Sequence, residues 1–198
     1  MKGEDIAREG PPVALMIWAL CLAVLLGPSL LVWTIRGVGL AAQCVPGPDL
    51  CRGMALGGGL RDALSLAWGV GTDILLTIVL ATIAAVACFA ARRPISGSLC
   101  LVFLPILPAL LPMFAVVVSR YDGCEINADG IGNCTLWGAK MGRSFHVAAT
   151  IPDLVYGVLP FSLALALMIS VIGWFLARPK PPPPAHATAR IRRFEDDV

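Results

Sequence analysis

Charge is what this chain has least of. Asp, Glu, Lys and Arg make up 14% of its 198 residues, where a soluble domain carries roughly a quarter. Bases number 15 against 13 acids, a net of +2, so no basic face exists for a nucleic-acid backbone. Histidine is nearly missing, with two in the chain. His146 stands alone in the apolar region, which excludes a bis-histidine haem within one chain. The glycine run at 57–59 is followed by no G-K-[ST] and is not a phosphate loop. Ser144, His146 and Asp153 are triad residue types, but no nucleophile elbow surrounds the serine. The sequence therefore offers no catalytic residues, no metal ligands and no cofactor site, and the chain is not read as an enzyme.

What is present is hydrocarbon. Apolar residues make up 58% of the chain, and they are gathered into four runs. Crossing about 30 Å of hydrocarbon takes about 20 apolar residues. Runs at about 13–35, 73–91, 95–118 and 153–177 meet that length. The fold expected is an all-α membrane protein, a four-transmembrane-helix bundle over residues 1–178, followed by a Pro-rich charged tail, 179–198. The first run is longer than the roughly 7–15 residues of a signal-peptide core, so it is expected to remain as an anchor. Basic residues flank the cytoplasmic ends of spans. Lys2 and Arg8, then Arg92 and Arg93, then the tail bases from Arg178 onward share one side of a four-span chain. Both termini are expected inside and two loops, roughly 36–68 and 119–150, outside. Trp33, Trp68 and Trp137 fall near the outer boundary and Trp174 near the inner one, where amphipathic rings sit.

Four of the seven cysteines lie in those outer loops: Cys44 and Cys51, then Cys124 and Cys134. An oxidising exterior favours disulfides. Three pairings are open to four cysteines. Pairing within each loop is preferred, because VPGPDL and EINADGIGN are rich in turn residues. The spacings lack the C-x2-C pattern of a metal site. Cys21, Cys88 and Cys100 lie within spans and read as small hydrophobes. Asn133-Cys134-Thr135 matches a glycosylation sequon in form.

The two loops resemble each other. Each passes from its last cysteine through small residues and a base, Arg61 or Arg143, to an Asp at the mouth of the next span, Asp73 or Asp153. A duplicated helical hairpin, with a re-entrant helix before each of spans two and four, is the reading. Asp73 and Asp153 are expected to start helices, where the dipole favours a carboxylate. The alternative is a role on an ion or ligand path, with Arg61 and Arg143 as partners. Thr77, Ala81, Ala85 and Cys88 form a small-residue stripe that should place span two at the bundle centre. Pro105, Pro108 and Pro112 should kink span three. The tail, with four consecutive prolines at 181–184, reads as a stiff spacer ending in bases near anionic lipid, or as a docking peptide.

The stretch YDGCEINADGIGNCTLWGAKMGRSF resembles a loose group of small bacterial multi-span membrane proteins of unassigned function, marked by a G-C…N-x-C outer loop. The matching residues are Gly123-Cys124, Asn133-Cys134, Gly138, Gly142 and Pro160, about a quarter of the chain; Lys140 stands where the group often has an acid. The resemblance implies a bacterial inner (plasma) membrane setting and names no activity. Two functions are then open. One is a non-catalytic accessory, assembly or structural subunit whose partners are the lipid bilayer and a membrane protein or a second copy. The other is a small transporter or channel using Asp73 and Asp153 near its outer mouth.

Overall fold

The computed structural model of the protein describes residues 12–44, 51–126 and 134–177. Lys2, Arg8, Asn133 and the whole tail from 178 onward lie outside the described residues, as do the expectations attached to them.

The described residues are helical almost throughout. Helix α1 (Pro12–Ala41) is followed by α2 (Leu56–Thr72), α3 (Ile74–Ala90), α4 (Pro94–Phe103) and α5 (Leu107–Ser119). A single 3-10 turn, Arg120–Asp122, leads to a two-stranded hairpin of β1 (Thr135–Leu136) and β2 (Ala139–Lys140), and then to α6 (Gly142–Ala177). Helices α1 and α6 are each long and apolar enough to cross a membrane. Up to four crossings result if the bent pairs α2–α3 and α4–α5 each count as one, with bends of 74° and 54°. The surface needs apolar cover: Leu75, Tyr156, Phe161, Leu167 and Leu176 are all largely exposed, more apolar patch than a water-soluble monomer shows.

The bends follow from local chemistry. Gly69 and Gly71 weaken the end of α2, and the Asp73 carboxylate accepts the Leu76 backbone N–H at 3.0 Å, capping α3 as a new helix. Pro105, between α4 and α5, and Pro108, in the first turn of α5, lack the N–H groups an unbroken ladder needs. The two breaks meet: a Cβ on Gly71 would lie 2.6 Å from the Pro108 carbonyl oxygen, so only glycine permits this crossing. The apolar run at 95–118 is therefore broken, as its prolines predict. The helix expected ahead of Asp73 is present as α2. Helix α2 buries Leu60, Ala63, Leu64, Ala67, Trp68 and Gly71 while exposing Arg61, Asp62 and Ser65, an amphipathic stripe at helical period.

Two cores stack along the bundle. One gathers Cys21, Leu25, Ala81, Ala85, Cys88, Cys100 and Leu104 towards the Arg92–Arg93 end. The stripe Thr77, Ala81, Ala85 and Cys88 is buried throughout, and α3 packs against α1, α4 and α6, the central place its small residues predict. The other core joins α1, α2, α5, the hairpin and the first turns of α6 around Leu60, Trp68, Leu136, Trp137, Met141 and Phe145. At the first core a Phe89 ring is clasped between α4 and α6, where a Cβ on Gly97 or Gly173 would come within 3.0 Å or 2.7 Å of it.

Two expectations are corrected. Asp153 is not a helix-start residue: α6 begins at Gly142 and runs unbroken through Pro152 and Asp153. Nothing like Gly69-Val70-Gly71 precedes Asp153, so no second bend forms. The hairpin duplication therefore holds where a helix starts after each loop's last cysteine and fails at the bend. At 36 residues, α6 is about 54 Å long, well over the roughly 30 Å of a hydrocarbon core.

Candidate functional site: a cystine-braced cap around a buried arginine

The cysteines pair within their own loops. Cys44 and Cys51 have Cα atoms 5.9 Å apart, and Cys124 and Cys134 5.4 Å. Closing loops of 7 and 10 residues of separation stabilises by about 2–3 kcal/mol each in the chain-entropy account. Cys51, Cys124 and Cys134 are buried in the second core, so the bridges pin the cap from within. Cys21, Cys88 and Cys100 remain free thiols, each buried.

At the centre of the cap lies Arg36, a residue the sequence reading assigned to a loop. It is 4% exposed. Its Nη1 donates to Ser119 Oγ at 2.8 Å, and Ser119 Oγ donates in turn to the Ala115 carbonyl at 3.0 Å. Its Nη2 reaches Asp122 Oδ2 at 3.4 Å, a longer ion pair at the rim. The guanidinium lies 5.9 Å from the Trp137 ring centroid, within cation–π range. One side chain thus ties α1 to the end of α5, the 3-10 turn and the hairpin. The signal was available: Cys21, Leu25, Ser29, Val32 and Arg36 recur at steps of four, four, three and four, and all five are buried.

Trp137 is set by its turn. Trp137 and Gly138 have φ of 49° and 80°, the left-handed pair of a tight hairpin. Asparagine is the usual first residue there; a tryptophan in this region is strained, and the cap must hold it. The ring covers Gly39, where a Cβ would lie 2.8 Å from it, and the Leu136 and Trp137 carbonyls press on Gly57. Two glycines thus make room for the hairpin. The N–H groups of Trp68 and Trp137 and the Nδ1 of His146 are buried without a hydrogen-bond partner among the described residues.

The predicted acids and bases are not brought together as pairs. Asp73 is exposed and caps α3. Arg61 pairs with its neighbour Asp62 at 3.4 Å on the surface rather than with Asp73. Arg143 and Asp153 lie ten residues apart on one continuous helix, about 15 Å along its axis, too far to pair. The same geometry separates Ser144 from Asp153 by about 13 Å and excludes a triad with His146. Among the described residues, no group of three His, Cys, Asp or Glu is placed to hold a metal ion.

Several other hydroxyls serve their own helices, while those of Ser29 and Ser98 are buried without a hydrogen-bond partner among the described residues. Thr72, Thr77, Thr82, Thr150 and Ser162 each donate to a carbonyl three or four residues back. Trp33 Nε1 donates to the Leu111 carbonyl at 3.2 Å, joining α1 to α5. No protein family, curated protein or solved structure matches this chain.

Proposed function

We propose that the chain is a four-span protein of a bacterial inner membrane, both termini cytoplasmic, that acts as a non-catalytic accessory, assembly or structural subunit. Its cap of two cystine-braced loops is the surface offered on the outer side to another membrane protein or to a second copy. The observation that carries this reading is how the polar groups are used. Arg36 is locked inside the cap by Ser119, Asp122 and Trp137, Asp73 caps a helix, and Thr77, Thr82 and Ser162 bond their own backbones. Polar atoms spent on structure build a rigid platform and leave little to line an ion path. The orientation rests on the bases at Arg92 and Arg93.

The transporter reading gives Asp73 and Asp153 a direct part. One experiment separates the two. The variants Asp73→Asn and Asp153→Asn are reconstituted in vesicles, beside wild type, with cross-linking in intact cells. The accessory reading expects unchanged ion or solute flux, and a cross-linked partner or dimer through cap residues. Flux that the wild type carries and the Asn variants lose, with folding intact, overturns it. An impermeant thiol label on reduced intact cells tests sidedness, and must reach Cys44, Cys51, Cys124 and Cys134.

A further inference from the structure

A lateral groove runs down the seam between α3, the α4–α5 break and α6. Its upper part is narrow, with about 30 Å³ of enclosed space, and is lined by Gly71, Ile74, Thr77, Ile106, Ala109 and Val155 among others. It continues past Ile78, Pro105 and Ser162 into a second part of about 20 Å³ beside Ala81, Leu101 and Ala166. The floor is buried and mostly small: Gly71, Thr77, Ala81, Ala109 and Ala166. The walls, Ile74, Ile78, Val155, Val158 and Leu159, are half-buried, so the groove opens sideways rather than into a sealed core. It exists because Pro105 breaks the helix opposite α6 and nothing bulky replaces the lost turn.

Length and polarity define the occupant. On α6 the groove spans Leu154 to Ala166, about 18 Å of helix, close to one leaflet of a hydrocarbon core about 30 Å thick. Thr77 and Ser162 point their donors at the carbonyls of Ile74 and Leu159, which leaves an apolar lining. Asp73 immediately precedes Ile74 and Asp153 immediately precedes Leu154, two residues that line the upper part, and both acids are exposed. Asp73 has one bond, to Leu76 N–H, and neither acid has an ion pair among the described residues. The neighbouring base in sequence, Arg61, is engaged by Asp62.

We propose that this groove holds one acyl chain of a phospholipid with an ammonium headgroup, the head resting against Asp73 and Asp153. The assignment rests on the membrane reading and adds a bound lipid of stated charge. The site selects by sign: a phosphodiester with no ammonium would meet two carboxylates, while an ethanolamine head meets opposite charge beyond its phosphate. Asp73 and Asp153 are thus headgroup contacts rather than stations on a conduction path.

The test uses the full chain reconstituted in nanodiscs of mixed phosphatidylethanolamine and phosphatidylglycerol. Leu165, at the lower groove, is replaced as Leu165→Trp, and its added fluorescence is quenched by acyl-brominated lipid of either class. Quenching should be severalfold greater with brominated phosphatidylethanolamine, and the preference should vanish in Asp73→Asn/Asp153→Asn. Asparagine still caps a helix, so α3 is kept. In native mass spectrometry, Ser162→Phe should cut retained phosphatidylethanolamine about tenfold, the scale of a steric misfit in an apolar pocket. Leu167→Phe, on the exposed side of α6, should change nothing. Equal quenching by both lipids, or a preference that survives both Asn substitutions, overturns the proposal. Resistance of the protein to carbonate extraction is scored separately, so that failure of the membrane reading is distinguishable from failure of the lipid site.

Discussion

Replacing Ser119 with alanine should cost more stability than replacing Arg36 with methionine, although arginine is the larger and charged partner. Ser119→Ala deletes the acceptor 2.8 Å from Nη1 and leaves a buried cation short of a bond. A hydrogen bond to a charged group contributes about 1.5–3 kcal/mol, and that is the loss expected. Arg36→Met removes the charge together with its need for partners. Ser119 keeps its bond to the Ala115 carbonyl, and the methionine stem still packs on the Trp137 ring. Asp122 loses an ion pair that was 3.4 Å long on a side chain 29% exposed, worth under about 1 kcal/mol at such a site. The lost cation–π contact of about 0.5–2 kcal/mol is offset by relief of the guanidinium's desolvation, since apolar replacement of buried ionic groups is often neutral. The net cost of Arg36→Met is therefore about 1 kcal/mol or less.

The assay is reversible unfolding in mixed micelles with rising dodecyl sulfate, followed by helical circular dichroism, with the disulfides intact. Arg36→Ala serves as the cavity control and should lose about 3 kcal/mol, as large-to-small core changes do. A cost for Arg36→Met exceeding that for Ser119→Ala would refute the reasoning. It would mean that the positive charge itself, and not the satisfaction of its donors, holds the cap.

Gly71→Ala should lower stability by about 1–3 kcal/mol, as overpacking does, because its Cβ would meet the Pro108 carbonyl at 2.6 Å; the same micelle titration reads it. Gly69→Ala should be neutral or stabilising, since nothing lies within 4 Å of its Cβ position. Asp73→Ala should cost about 1 kcal/mol through the lost helix cap and Asp73→Asn a few tenths, while Asp153→Ala, within a continuous helix, should cost nothing measurable. Cys124→Ser with Cys134→Ser should cost about 2–3 kcal/mol, and unreduced peptide mapping should recover Cys44 with Cys51 and Cys124 with Cys134, never a link between loops.

Much of the fold was written in patterns whose physics is local. The apolar runs place the long helices α1 and α6 though not their ends, the buried stripe on α3 follows from the spacing of Thr77, Ala81, Ala85 and Cys88, and the break between α4 and α5 from the prolines. The within-loop disulfides were legible because short turn-rich loops bring their ends together. Two features were not local. Asp73 and Asp153 occupy matching places in sequence, yet one caps a helix and the other lies within one. The difference is made by Gly69 and Gly71, and by the Pro108 carbonyl, which requires a glycine where the two bent helix pairs cross. That carbonyl is 37 residues away in sequence, beyond any window of periodicity.

Arg36 was missed for a related reason. A charge at the end of an apolar run normally marks the point where a helix meets water, and a boundary drawn there ends the span at Ile35. The helix instead continues to Ala41, because the cap supplies what water would have supplied: a hydroxyl, a carboxylate and an aromatic face. The same substitution of protein for solvent explains why Trp137 tolerates a left-handed backbone and why Gly39 and Gly57 carry no side chain. Removing Trp137 should therefore loosen α1 as well as the hairpin. Trp137→Ala removes the ring that covers Gly39 and faces Arg36, which should expose the last two turns of α1. Amide hydrogen exchange over residues 33–41 should then rise, while exchange over α3 and α4, whose core lies at the other end of the bundle, stays at the wild-type rate. Equal acceleration in both regions would mean that the two cores unfold as one, and that the cap is not a separately stabilised unit.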